Sequence, residues 1–264
     1  MRFLILVGSY RKNGNTDQLA GLIGEGLERE AAAHNQPVEV ETVYLGHQDI
    51  RPCRGCRICF DHGEDRCPQK DDLLSIKGKM KAADGLLVAS PIYVDDVSGT
   101  VKTWIDRLAH VCHRPEFAGK SAFLVTTVGS SPSNHSLRTL SMALSTWGIH
   151  IAGQQGFKTG SLMKPEDTRT RFQAQAEKIA RNLFMAVYER RFARPSFWSL
   201  MMFRIQQLAW QHADPAKRSA IDLQYWQDSG WLDAKREFYF PQRASRIKVA
   251  LARLTGSVIY PFVA

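Results

Sequence analysis

The chain has 264 residues, 44% of them hydrophobic, with 35 Lys+Arg against 26 Asp+Glu and a formal net charge of +9. That balance excludes disordered and collagen-like architectures, and the length suffices for a sizeable buried core. Residues 190–264 hold 12 Lys/Arg against 5 Asp/Glu and 13 of the 26 aromatic residues, so a near-neutral unit, 1–190, is expected before a basic, aromatic extension, 191–264.

Residues 2–7 form a short apolar run that ends in Gly8-Ser9 without a cleavage site, which reads as a buried strand and not as a signal peptide. No run approaches the roughly 20 apolar residues of a membrane-spanning helix, and a cytoplasmic location is expected. Further apolar runs predict strands at 38–44, 85–89, 122–127 and 149–153. Amphipathic stretches between them predict helices at 15–33, 71–82, 99–110 and 134–147, and a fifth at 165–190 begins with Pro at a first-turn position. Alternation of this kind predicts an α/β fold: a doubly wound, five-stranded parallel sheet with helices on both faces, followed by a mainly helical extension. Residues 48–70 lack apolar periodicity and carry four of the five cysteines, which marks a functional insertion.

Parallel sheets bind ligands beyond the carboxyl ends of their strands, where strand order reverses. After the first strand comes Gly8-Ser9-Tyr10-Arg11-Lys12-Asn13-Gly14-Asn15-Thr16, leading into a helix. A helix N-terminus offers N–H groups and a positive dipole end, and Ser9, Arg11, Asn13, Asn15 and Thr16 add donors suited to a phosphate. Neither the Walker loop nor the G-x-G-x-x-G fingerprint is present. The bland alternative is an ordinary turn capped by Asn15.

At these residues the sequence resembles the flavodoxin-fold NAD(P)H-dependent FMN reductases, whose first loop reads Gly-Ser-Pro-Arg-x-x-Gly-Asn-Thr. Gly8, Ser9, Arg11, Gly14, Asn15 and Thr16 match, while Tyr10 replaces the Pro, a change expected to loosen the loop. The resemblance implies that this loop wraps the FMN phosphate. It also implies that Ser90-Pro91-Ile92-Tyr93 and Ser98-Gly99, after the third strand, line the isoalloxazine ring. Asp95-Asp96 depart from the commoner neutral pair there, and a carboxylate near the ring would disfavour the anionic reduced flavin. Thr127 and Gly129, in the hydroxyl-rich loop after the fourth strand, suit the pyrimidine edge, though such residues also make plain turns. Asp106-Arg107 reads as a helix-surface ion pair, and His135 as a first-turn surface residue.

Cys53, Cys56 and Cys59 recur every third residue and Cys67 follows, with Arg51, Arg54, Arg57, Arg66 and Lys70 around them. Close-set triplets of this kind wrap a [4Fe–4S] cluster in bacterial ferredoxins, whereas zinc sites favour separated pairs. Zinc, free thiols or adventitious disulfides remain the alternatives. Followed by Lys70-Asp71-Asp72, the motif resembles the iron-sulfur flavoprotein branch of the same family, which implies a cluster close to FMN and a dimer or tetramer in which a neighbouring subunit completes the site. Cys112 lies outside the motif and reads as structural.

The resemblance thus implies an oxidoreductase passing electrons between NADH or NADPH, FMN, the cluster and a small-molecule or protein acceptor, with no side chain required as nucleophile or base. A non-enzymatic electron carrier and a flavin-binding protein with structural zinc or a metal-free loop are the other readings. In the extension, aromatic residues are expected to pack on the N-terminal unit or a second subunit. Ile247, Ala250, Leu251, Leu254 and Val258 recur at helical spacing within 244–263, and this helix is expected to dock mainly on protein, either the fold's own surface or a second subunit, with weak, salt-sensitive membrane-surface contact. No nucleic-acid-binding pattern accompanies the basic charge.

Overall fold

The structure is a computed structural model and describes residues 1–130, 134–160, 162–189, 194–214 and 220–263. The expected boundary at residue 190, the end of the fifth predicted helix and residues 131–133 of the loop after the fourth predicted strand lie outside them.

Strand β1 (Arg2–Val7) leads through α1 (Asn15–Ala33) to β2 (Glu39–Tyr44). The insertion then runs through the single-turn α2 (Ile58–Asp61) to α3 (Leu73–Ala82) and β3 (Gly85–Tyr93). A two-residue strand β4 (Asp96–Val97), α4 (Gly99–Arg107), β5 (Ser121–Val128), α5 (Asn134–Thr146), β6 (His150–Lys158) and α6 (Pro165–Tyr188) complete the unit. The five main strands pair in parallel in the order β2-β1-β3-β5-β6, the flavodoxin-like order, with its switch between β1 and β3. Buried Val and Leu runs in β1, β3 and β5 mark strands covered on both faces. One face packs on α1 and α6 through Leu19, Ile23, Phe172 and Ile179. The other packs on α3, α4 and α5 through Ile76, Met80, Trp104 and Leu140.

β5 exceeds its predicted length by one residue at each end, and two strands exceed theirs by four or more at the carboxyl end. β3 continues past Ala89 to Tyr93 because its end pairs with β4 across a tight turn, with Ile92 opposite Val97. β6 continues to Lys158 because it pairs with β5 along its whole length, and its polar Gln154 and Gln155 on the sheet edge carry no apolar signal.

The extension forms α7 (Phe197–Gln211), α8 (Ala220–Asp228) and α9 (Arg246–Val263). Its aromatic residues pack chiefly on one another: Phe203, Trp210, Trp226, Trp231, Phe238 and Tyr239 form a third core. The extension meets the sheet unit next to the cysteines. Buried Asp222 binds Arg114 and lies 2.9 Å from His113 Nδ1, and Trp226 Nε1 donates to the His113 carbonyl at 2.7 Å.

Candidate functional site

A cavity of about 160 Å³ opens at the carboxyl ends of β1, β3, β5 and β6. Of the residues expected there, Ser9, Arg11, Asn15, Thr16, Pro91, Ile92, Tyr93, Thr127 and Gly129 line it. The N-cap of α1 is Gly14, with no side-chain cap bond, so the helix dipole faces the cavity without a competing side chain. Gly8 is required by a close approach, since a Cβ there would meet Val101 Cγ2 at 2.2 Å. The Ser9 hydroxyl accepts from the Arg11 N–H at 3.1 Å, and the Thr16 and Thr127 hydroxyls are 2.7 Å apart.

Asn13, Ser98 and Gly99 do not line this cavity. Asn13 is exposed at φ +60°, and its N–H donates to Asp17. Ser98 is buried as the α4 cap: its hydroxyl donates to the Gly8 carbonyl at 2.7 Å and accepts from the Val101 N–H. Gly99 opens α4 behind it. Asn15 lines the cavity but is not the cap; its amide donates to Thr159 Oγ1 at 2.8 Å and its carbonyl accepts from the Met163 N–H, tying α1 to the end of β6. Tyr10, expected to loosen the loop, is held instead: His47 Nε2 is 2.8 Å from its carbonyl, and its ring lies against Gly46. Val128, Thr159 and Gly160 also line the cavity. Thr159 and Gly160 escape the sequence reading because it ends the last strand five residues early, and Val128 is the final residue of β5, one past that strand's predicted end.

The turn between β3 and β4 holds Val94 at φ +48° and Asp95 at φ +67°. A β-branched residue in the left-handed region is strained, and Val94 is fully exposed beside cavity-lining Tyr93. Asp96 faces His135 at 3.4 Å, on the first turn of α5.

All four clustered cysteines line a second cavity of about 180 Å³, and all are free thiols. The loop wraps them by placing Gly55 at φ +65° and Arg57 at φ +63° on either side of Cys56. Two donors point at sulfur: the Gly55 N–H lies 3.4 Å from Cys53 Sγ, and Arg107 Nη2 lies 3.8 Å from Cys67 Sγ. Burial pushes the Cys59 thiol up, and the Cys67 and Cys53 sulfurs push it the same way. Thiols crowded in this manner ionise together only when a cation joins them.

Arg107 corrects the expected ion pair with Asp106. Arg107 is buried and grips Asp71, with its Nη1 donating to the Arg51 carbonyl at 2.7 Å, whereas Asp106 pairs with Lys102 on the exposed face of α4. Burial alone would raise Asp71, but the Arg107 hydrogen bond outweighs it and holds the carboxyl below its ordinary range. Beneath the loop, buried Lys77 binds Glu64 and Glu116, the latter at 2.6 Å, and lies 3.1 Å from His110 Nε2. Glu64, His110 and Glu116 have metal-like spacing, but the Lys77 ammonium occupies their centre. Burial, then the Lys77 charge, keeps His110 neutral by pushing its pKa well down. Burial opposes ionisation of Glu64, yet Lys77 outweighs it and holds that carboxyl low. Sequence alone carries no local signal for Lys77, which sits on the packed face of α3 between Ile76 and Met80.

One helix joins the two cavities. Ser98 at the start of α4 holds the first loop, and Arg107 at its end holds the cysteine loop, nine residues or about 13 Å along the axis.

The profile of the NADPH-dependent FMN reductase family matches residues 1–161. The chain belongs to that family. Two proteins named iron-sulfur flavoprotein are similar to it: one from Archaeoglobus fulgidus, 32% identical over 58% of this chain and 66% of that protein, and one from Methanosarcina thermophila, 32% identical over 58% of this chain and 75% of that protein. The chain spans just under two thirds of the Archaeoglobus relative. Among solved structures, RosB with bound 8-demethyl-8-formylriboflavin-5'-phosphate superposes with a TM-score of 0.58 at 16% identity, over 72% of this chain and 79% of that one, a likeness of fold.

Proposed function

We propose that this member of the family is an NAD(P)H-dependent flavin oxidoreductase, with FMN in the cavity at the strand ends and a [4Fe–4S] cluster in the cysteine cavity. The carrying observation is α4, which binds the first loop through Ser98 and the cysteine loop through Arg107. Bound FMN supplies two-electron exchange with a nicotinamide and one-electron exchange with an iron–sulfur centre.

In this reading the chain's own residues bind and orient. The α1 N-terminus, Ser9, Thr16 and Arg11 hold the phosphate, and Asn13, Asn15 and Ser98 keep that loop in place, with Gly99 opening α4 behind Ser98. Pro91, Ile92 and Tyr93 flank the ring, and Thr127 and Gly129 meet its pyrimidine edge. Cys53, Cys56, Cys59 and Cys67 are the cluster ligands, with the Gly55 N–H and Arg107 as donors to sulfur. Residues 1–190 form the electron-transfer unit and 191–264 an appended one. The exposed hairpin at Tyr93 and Val94 is where a second subunit of a dimer or tetramer would complete the site.

Anaerobically purified protein tests the reading. The expected result is released FMN, about four iron and four sulfide per chain, and oxidation of NADH or NADPH with an added acceptor. Cys56→Ser should lower iron and leave FMN bound. Flavin without nicotinamide turnover would favour a carrier, and stoichiometric zinc would replace the cluster.

A further inference from the structure

Fifteen large hydrophobic residues stand exposed among those described, and five belong to α9: Ile247, Leu251, Leu254, Val258 and Phe262, each more than half exposed. Scattered exposed apolar residues are ordinary, whereas a concentrated row marks an interaction surface. Their spacing puts all five in a sector of about 80° around the helix. The opposite face carries buried Val249 and Ala252, with Gly256 against Met201 and Arg204 of α7. The helix therefore docks on its own fold, one of the two protein surfaces expected for it, through the face opposite the stripe. That leaves a second copy of the chain or an external surface to cover the stripe.

Charge separates these two. Residues 246–263 contain Arg246, Lys248 and Arg253 and no Asp or Glu. Arg253 is held by the fold, donating to the Arg236 and Ala234 carbonyls, but Arg246 and Lys248 flank the stripe on opposite sides. Pairing α9 with another α9 would bring these cations together with no carboxylate from either helix to meet them. An anionic phospholipid surface supplies the missing charge and accepts the apolar row. The helix runs unbroken through Gly256 and Pro261, and no helix among the described residues is long and apolar enough to cross a membrane.

We infer that α9 lies flat in the interface of membranes containing anionic phospholipid, with the 247–262 stripe in the acyl boundary and Arg246 and Lys248 at the headgroups. The inference is independent of the flavin and cluster reading, because it uses neither cavity.

The test is co-sedimentation of the full chain with phosphatidylcholine vesicles, with and without phosphatidylglycerol, at about 0.1 M and about 1 M salt. The full chain should sediment with the anionic vesicles at low salt and about fivefold less with the neutral ones. Leu251→Asp with Leu254→Asp should lower the bound fraction about tenfold while circular dichroism stays unchanged, since both side chains are exposed. Arg246→Glu with Lys248→Glu, which leaves the stripe intact, should lower binding to anionic vesicles alone. Absence of sedimentation with anionic vesicles overturns the inference. So does equal binding by all variants, or an oligomer that the Leu pair dissociates without any vesicle binding, which would make a second copy the occupant.

Discussion

The cavity at Ser9 and Thr16 is made from strand ends and a helix start that the sheet already positions, whereas the cysteine cavity is made from a segment of little repeating structure that charges pin in place. Around the first, the contacts are backbone and hydroxyl: Ser98 to Gly8, Thr16 to Thr127, Asn15 to Thr159. Around the second, buried ion pairs carry the geometry: Arg107 with Asp71, Arg114 with Asp222, Lys77 with Glu64 and Glu116. Breaking a buried pair leaves an uncompensated charge, so the cysteine side should be far more sensitive to single charge deletions than the sheet side. It also depends on the extension, because Asp222 of α8 is the buried partner of Arg114, whose Nη2 donates to the Cys59 carbonyl at 2.8 Å.

Arg107→Ala is expected to have the largest effect, destabilising the fold by about 3–5 kcal/mol and loosening the cysteine loop, because Asp71 is left buried and unpaired. Chemical denaturation measures it; a loss below about 1 kcal/mol would put this pair in the class of surface ion pairs. On the sheet side, Arg11→Ala should leave stability unchanged and weaken FMN binding by about 1.5–3 kcal/mol if the guanidinium makes a charge-assisted phosphate bond. Unchanged FMN affinity by fluorescence titration would remove Arg11 from the site.

Acid should separate the two regions further. His110 has a lowered pKa, so it stays neutral in the fold while its unfolded counterpart gains a proton below about 6.5. Stability is therefore full above that value and falls as pH drops through it. Glu64, held low, adds stability that is present above the ordinary carboxylate range and is lost as pH falls towards its folded value. Both contributions fall with acid in separate windows: the denaturant midpoint should drop between about pH 7.5 and about pH 5 through His110, and drop further below about pH 4.5 through Glu64, with hydrogen exchange rising first in the cysteine loop. A midpoint that rises on acidification contradicts the assignment. The smallest effect is expected next door to the largest, at Asp106→Ala, where loss of the exposed pair with Lys102 should cost about 0.5 kcal/mol or less.

Much of this architecture is legible in the chain itself. The apolar run at 2–7, the turn at Gly8-Ser9 and the amphipathic stretch from Asn15 are each short-range patterns, and strand, loop and helix formed where those patterns placed them. The cysteine spacing is equally local, and all four sulfurs share one cavity because fewer than fifteen residues separate them. What only the tertiary structure decided are matters of partner choice. Asp106 and Arg107 are adjacent in sequence, yet one faces solvent and the other is buried against Asp71, because α4 turns about 100° per residue and only one side meets the insertion. Asn15 ties α1 to Thr159 across 144 residues, so no local window shows it as anything but a cap. The period of α9 is plain in the sequence, but an apolar stripe does not state which face its own fold will cover. That choice fell to Val249, Ala252 and Gly256, whose small or β-branched side chains let α7 approach closely and left the larger apolar residues facing outward.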